Sequence, residues 1–248
     1  IFKMELKIKD KEIKNFKDEI TKEAEHLIND FFPRKCIELN EYLKISLLAY
    51  VFLGKTLNCN CSNPVVTNGL SKLSAISEKI ITKLQLNKFF AGTKVFTFPN
   101  GTIPCNEHLK KMADYLKPEV RTLIEKCNTV RMWVTHLIPK IEDGNNFGVS
   151  IQEETLGEIR QVESESSGFL DQIAKYYCTR AQIVAKVAKY PHVGDYRQFI
   201  NEIDEKEFLC LRMIAAELRN HYSVLHDMIL KNIEKIKKPR NVNIDGMY

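Results

Sequence analysis

The chain is poor in chain breakers: 10 glycines and 8 prolines in 248 residues. Few breakers among many Lys, Glu, Ile and Leu point to long helices. No apolar run reaches 18 residues, which excludes a transmembrane helix. The opening Ile1-Phe2-Lys3-Met4 lacks the charged and apolar regions of a signal peptide, and Met4 is a candidate initiator. Seven cysteines is an odd number, scattered mostly through helical patterns, and reads as reduced thiols inside a cell. The sequons at Asn60 and Asn100 then read as chance matches. A formal net charge of +5 is mild, and a nucleic-acid domain usually concentrates more charge on one face.

Catalytic signatures are missing too. No HExxH, Walker loop or nucleophile elbow occurs. Glu163 and Glu165 point to different sides of a helix. His221 and Asp227 share a helix without metal-ligand spacing. Cys59-Asn60-Cys61 has no second pair at zinc-finger spacing. These readings give no catalytic residue, no metal site and no cofactor.

Apolar residues make up 44% and charged residues 28%, enough for a sizeable core in one large or two small domains. From Lys3 to Phe32, Leu6, Ile13, Phe16, Ile20, Ala24, Leu27, Ile28 and Phe31 recur at three- and four-residue steps. Beyond Pro33, Leu39, Leu43, Leu47, Leu48 and Val51 continue the pattern past a proline kink. Residues 54–104 are turn-rich, with a short amphipathic stretch from Ser71 to Phe90, and read as a long insert. A second stripe (Val120, Leu123, Cys127, Val130, Val134) follows, with a kink expected at Pro118. The third carries Leu156, Ile159, Val162, Ile173 and Val187. After a turn at Tyr190–Asp195, the fourth carries Ile200, Phe208, Leu211, Leu218, Leu225 and Ile236.

The expected fold is therefore all-α: an up-down-up-down bundle of four helices, each of about 35 to 45 residues and about 50–65 Å long. The segments are helix 1 (1–53), the insert (54–104), helix 2 (105–141), a loop (142–149), helix 3 (150–189), helix 4 (195–238) and a tail (239–248). Trp133, Tyr176 and Met213 fall outside the inward seam. Such surplus apolar surface suggests lateral packing against other copies.

Two segments have more chemistry than a connection needs. Ile138–Gln152 holds Pro139, which cannot donate a backbone N–H and stops or kinks a helix. Asp143-Gly144 and two asparagines follow as turn formers, and Phe147 is the large apolar residue at the tip. Ser150 and Glu153 read as a capping box opening the next helix. The chain's last residues, Gly246-Met247-Tyr248, form an apolar end on a polar tether, a form suited to docking by the terminal carboxylate. The basic run Lys235–Arg240 reads by default as a solvated face, with nuclear import next.

These motifs resemble the eleven-S proteasome activator (REG) family, and within it the gamma type. The matching stretches include Phe31-Phe32-Pro33, Gly92–Phe96, Lys117-Pro118-Glu119, Leu123–Val130, Ile138–Gln152, Tyr190–Val193, Glu202–Glu207 and Leu225–Lys238. The resemblance implies a heptameric ring, homomeric by its gamma character, that caps the α-ring of the 20S proteasome without ATP and stimulates peptide hydrolysis. It implies an activation loop of Glu142, Asp143, Gly144, Asn145, Asn146, Phe147 and Gly148 that opens the gate, with Asn145 at the position activation needs. It also implies a docking tail of Asp245, Gly246, Met247 and Tyr248. A nuclear location is implied. The insert offers Lys83 and Lys88 but no basic run, which leaves the cytoplasm as the alternative. At Gln182 the gamma type has a lysine. The competing expectation is a helical scaffold that binds partners through its sides or insert.

Overall fold

A computed structural model describes residues 2–53, 103–140, 142, 144 and 146–240, with the side chains of the first segment described over 11–45. Most of the insert, including Cys59 and Cys61, lies outside the described residues. So do Asp143, Asn145, the tail residues Asp245–Tyr248 and the side chains of Leu6, Leu47, Leu48 and Val51.

The elements are α1 (Phe2–His26), a π turn (Leu27–Phe31), α2 (Phe32–Leu53), α3 (Glu107–Leu137), α4 (Phe147–Lys189) and α5 (Gly194–Lys237). No strand occurs among the described residues, and the fold is all-α as expected. The chain divides into two compact units, one of residues 1–51, 112–172 and 210–248, the other of 52–111 and 173–209.

In the first unit, cross-helix pairs fix the topology. Lys126 meets Glu23 at 3.0 Å and Lys35 meets Glu119 at 3.0 Å, so α1–α2 and α3 run antiparallel. Arg131–Glu163 and Gln152–Leu137 set α3 against α4. His221–Glu165 and Gln152–Ile236 set α4 against α5. Lys237–Glu25 and Arg219–Asn40 close the cycle. Four neighbours, each antiparallel to the next, make an up-down-up-down bundle. Glu163 and Glu165 thus serve different partner helices, as their spacing implies.

The core holds Leu27, Ile28, Phe32, Leu39, Leu123, Trp133, Ile159, Leu218 and Tyr222. Two expectations need correction. Trp133 is buried at 1% exposure and belongs to the seam, while Met213, 65% exposed, stands outside it. In the first helical segment the seam passes through Phe32, fully buried, rather than Phe31.

The π turn explains that second difference. Pro33 lacks an N–H, and its ring would strike the carbonyl four residues back in an α-helix. The widened turn, in which the Phe32 N–H donates to Leu27 O, makes room for it and shifts the seam. The Ile28 carbonyl would be the π-type acceptor for the missing Pro33 N–H. Instead it accepts from His226 Nδ1 at 2.7 Å, which places the ring proton on Nδ1. α3, by contrast, continues through Pro118.

In the second unit, Ile183, Val187 and Ile200 form a core with Val184, Tyr196 and Ile203 against it. Tyr176, expected outside the seam, is also buried. Its hydroxyl donates to Asp204 Oδ1 at 2.8 Å, and Arg180 Nε donates to the same atom at 2.9 Å. Asn106 Nδ2 donates to Asp204 Oδ2 at 3.1 Å. Asn106 also caps α3, its Oδ1 accepting from the N–H groups of His108 and Leu109. Glu207, beside this network, has its carboxyl pushed up to about 7, chiefly by burial and further by Asp204.

Candidate functional site: the loop between α3 and α4

α3 ends at Leu137, two residues before Pro139, and its last turn tightens as Ile138 N–H donates to Thr135 O at 3.3 Å. The chain leaves the helix where proline demands it. Gly144 sits at φ 85°, a left-handed conformation that side chains with a Cβ avoid. α4 then begins at Phe147, three residues earlier than expected. Asn146 O accepts the first helical bond, from Ser150 N at 2.9 Å, so Ser150 lies inside the helix and opens no capping box.

The earlier start has a cause in Gly148. A Cβ at this position would overlap the Pro239 backbone. The first turn of α4 can therefore lie flush against the chain leaving α5. Phe147, the turn's first residue, is 73% exposed. A bare aromatic ring at a helix start costs apolar hydration and offers a contact surface.

Two side chains tie the site together. Gln152, fully buried, donates from Nε2 to Leu137 O at 3.1 Å and to Ile236 O at 2.7 Å. Both carbonyls lie in final helical turns, where no intrahelical partner exists. Arg240 donates from Nη1 to Lys140 O at 2.9 Å and to Glu142 Oε2 at 3.0 Å, and from Nη2 to Asn146 Oδ1 at 3.1 Å. Of the expected loop residues, the structure thus brings Glu142, Gly144, Asn146, Phe147 and Gly148 together at one end of the first unit, beside the start of the tail. Asp143 and Asn145 fall outside the described residues.

Sequence reading gave no role to Gln152, the last residue of the stretch it singled out, and missed Arg240 as part of this site. Arg240 read as the end of a basic run, whereas it and Lys237 both hold acidic partners. The available signal was a lone arginine directly after the proline that ends α5.

The charged pair at this loop is Arg240 with Glu142. Outside the loop, burial raises the Tyr42 hydroxyl to about 12 and lowers His221. Among the described residues, no group of three or more His, Cys, Asp or Glu is placed to hold a metal ion. No described helix is long and apolar enough to cross a membrane.

The first unit is an all-α bundle that carries this loop beside the chain leaving α5, and comparison with known proteins identifies the family of such bundles to which it belongs. Residues 102–246 match the model for "Proteasome activator PA28, C-terminal" and residues 7–53 that for "Proteasome activator PA28, N-terminal". The chain belongs to the PA28 proteasome activator family. It is 51% identical to human "Proteasome activator complex subunit 3" over 248 residues, covering 98% of this chain and 96% of that protein. Among solved structures it is similar to the 11S subunit of the Plasmodium falciparum proteasome, PA28. That match has a TM-score of 0.69 and 31% identity, covering 95% of each chain. A chain from the archaeal 20S proteasome in complex with a mutated P26 activator shares the fold alone, with a TM-score of 0.65 and 14% identity over 95% of this chain and 98% of that one.

Proposed function

We propose that this chain activates the 20S proteasome without ATP and without catalysis of its own, by docking its C-terminal tail on the α-ring and opening the gate with the α3–α4 loop. Family membership supports the reading, and one structural observation carries it. The loop presents Phe147 outward while Arg240, at the root of the tail, holds its two ends. Loop and tail can therefore reach one partner surface.

Assembly as a homoheptameric ring follows from the same reading. Exposed Ile13, Phe16, Ile45, Leu209 and Met213 supply apolar surface for lateral contacts. Seven tails on one particle would gain by effective concentration, so each contact can be weak. The loop need then favour the open gate over the closed one by only a few kcal/mol. Asn145 is the gate-opening residue and Tyr248 the tail anchor. A nuclear location accompanies the reading, and tagged protein confined to the cytoplasm would refute it.

The test is hydrolysis of fluorogenic peptides by purified 20S proteasome with and without this protein. Unchanged rates across several peptides would sink the proposal. Asn145→Tyr should keep assembly and binding but lose stimulation, and deletion of Met247 and Tyr248 should lose binding. Native mass spectrometry should give seven protomers. A stable monomer or dimer would favour a helical scaffold instead.

A further inference from the structure

Arg240 stands three residues beyond the end of α5, yet its bonds all go to the other connection. They reach Lys140 just after α3, Glu142 within the loop and Asn146 at the cap of α4. The guanidinium is planar and its donors fixed in a fork, so three acceptors bound at once are fixed relative to one another. Its side chain is 20% exposed, whereas Glu142 is largely exposed. An open Arg–Glu pair alone would contribute little. Here two of the three acceptors are uncharged groups at the loop's ends, and the backbone beside Arg240 is pressed onto Gly148. The loop's own cross-link, Asn146 Nδ2 to Glu142 O, is long at 3.5 Å.

We infer that Arg240 is a positioning residue for the activation loop, making the root of the tail the brace that sets loop geometry. The inference rests on the activator reading. Its consequence is coupling: whatever restrains the chain at Arg240 favours the loop shape that Arg240 holds. By linkage, a loop engaged on its target tightens the hold on the tail. Tail docking and gate opening are then coupled, while the tail alone still supplies most of the binding.

The test compares the full-length protein with Arg240→Ala, Arg240→Lys and Glu142→Gln. Amide exchange at the first turn of α4, from Ser150 onward, in the free protein is the first readout, and it needs no proteasome. Arg240→Ala should exchange there about tenfold faster, the effect of losing a charge-assisted bond network. Arg240→Lys should fall between, because an ammonium cannot hold three divergent acceptors in one plane. Glu142→Gln should give a smaller change, and adding it to Arg240→Ala should change nothing further. Helical content and particle mass should stay at the parent's values, which separates a loose loop from a misfolded chain.

The second readout is peptide hydrolysis by 20S proteasome at increasing activator. Maximal stimulation should drop several-fold in Arg240→Ala, while the concentration giving half-maximal effect shifts less. Unchanged exchange in Arg240→Ala overturns the brace. So does a weakened half-maximal concentration with intact maximal stimulation, which would assign Arg240 to tail docking alone. If the unaltered protein fails to stimulate hydrolysis, the activator reading falls, and the exchange data still decide the brace.

Discussion

Gln152 offers a stringent test of how the loop end is built. Its amide is fully buried and caps α3 and α5 at once, through Leu137 O and Ile236 O. Gln152→Leu keeps the volume and removes both donors. Each lost bond is worth about 1 kcal/mol, and each carbonyl left without a partner adds part of a desolvation cost of about 1–3 kcal/mol. Some of that returns through the added apolar contact, so a net loss of about 2–4 kcal/mol is expected. For a chain of this size that lowers the melting temperature by about 5–15 °C.

Gln152→Glu separates the hydrogen-bond argument from packing. The introduced carboxylate would face two carbonyl oxygens with no proton to offer, so the site favours its neutral form. Its folded pKa rises above the unfolded value, and stability falls as pH climbs from the unfolded pKa through the folded one. The variant should melt near the parent at pH 4.5 and well below it at pH 8. Thermal melts by circular dichroism across this range are the assay. A Gln152→Leu protein melting within 2 °C of the parent would refute the double cap, as would a Gln152→Glu protein that tracks the parent at every pH.

Three further outcomes are expected. Gly148→Ala should lower the melting temperature although alanine is the better helix former by about 1 kcal/mol, because its Cβ would displace Pro239; a raised melting temperature would contradict that packing. Glu207 keeps its proton to about 7 when folded and loses it near 4.5 when unfolded, so stability should fall as pH rises between those values. Glu207→Gln should remove that fall and gain about 1–2 kcal/mol above pH 7 in denaturant titrations, allowing for residual solvation. Asp204→Ala strips buried Arg180 of an acceptor and should cost about 3–5 kcal/mol, seen first as faster amide exchange around residues 173–188.

The helices were legible because their apolar spacing is a local property. Val120, Leu123, Cys127, Val130 and Val134 are all buried, as their spacing demands. Pro139 was legible as a stop because its missing N–H acts wherever it stands. Trp133 was misplaced because a bundle interior is wider than a two-position seam, and large rings reach it from the flank. Tyr176 was misplaced because its hydroxyl finds Asp204, a partner 28 residues away that no local pattern reveals. The Ser150–Glu153 motif was genuine in spacing, but Gly148 let the helix start earlier and Asn146 took the cap. Arg240 and Gln152 escaped for one reason: their bonds join segments about 15 to 100 residues apart, and composition carries no trace of them.

The π turn at Leu27–Phe31 makes the length of this helical segment a coded quantity. It holds one residue more than an α-helix would, so the residues before and after it keep separate counts. Winding the same residues as a regular α-helix, after replacing Pro33, would satisfy any propensity scale. It would also rotate Phe32 and Leu39 about 100° and push them about 1.5 Å further along the axis. Both would leave the core, and His226 would lose the carbonyl it satisfies. A homologue aligned to this chain without a gap there must either share the proline and the wide turn or bury a different set of side chains.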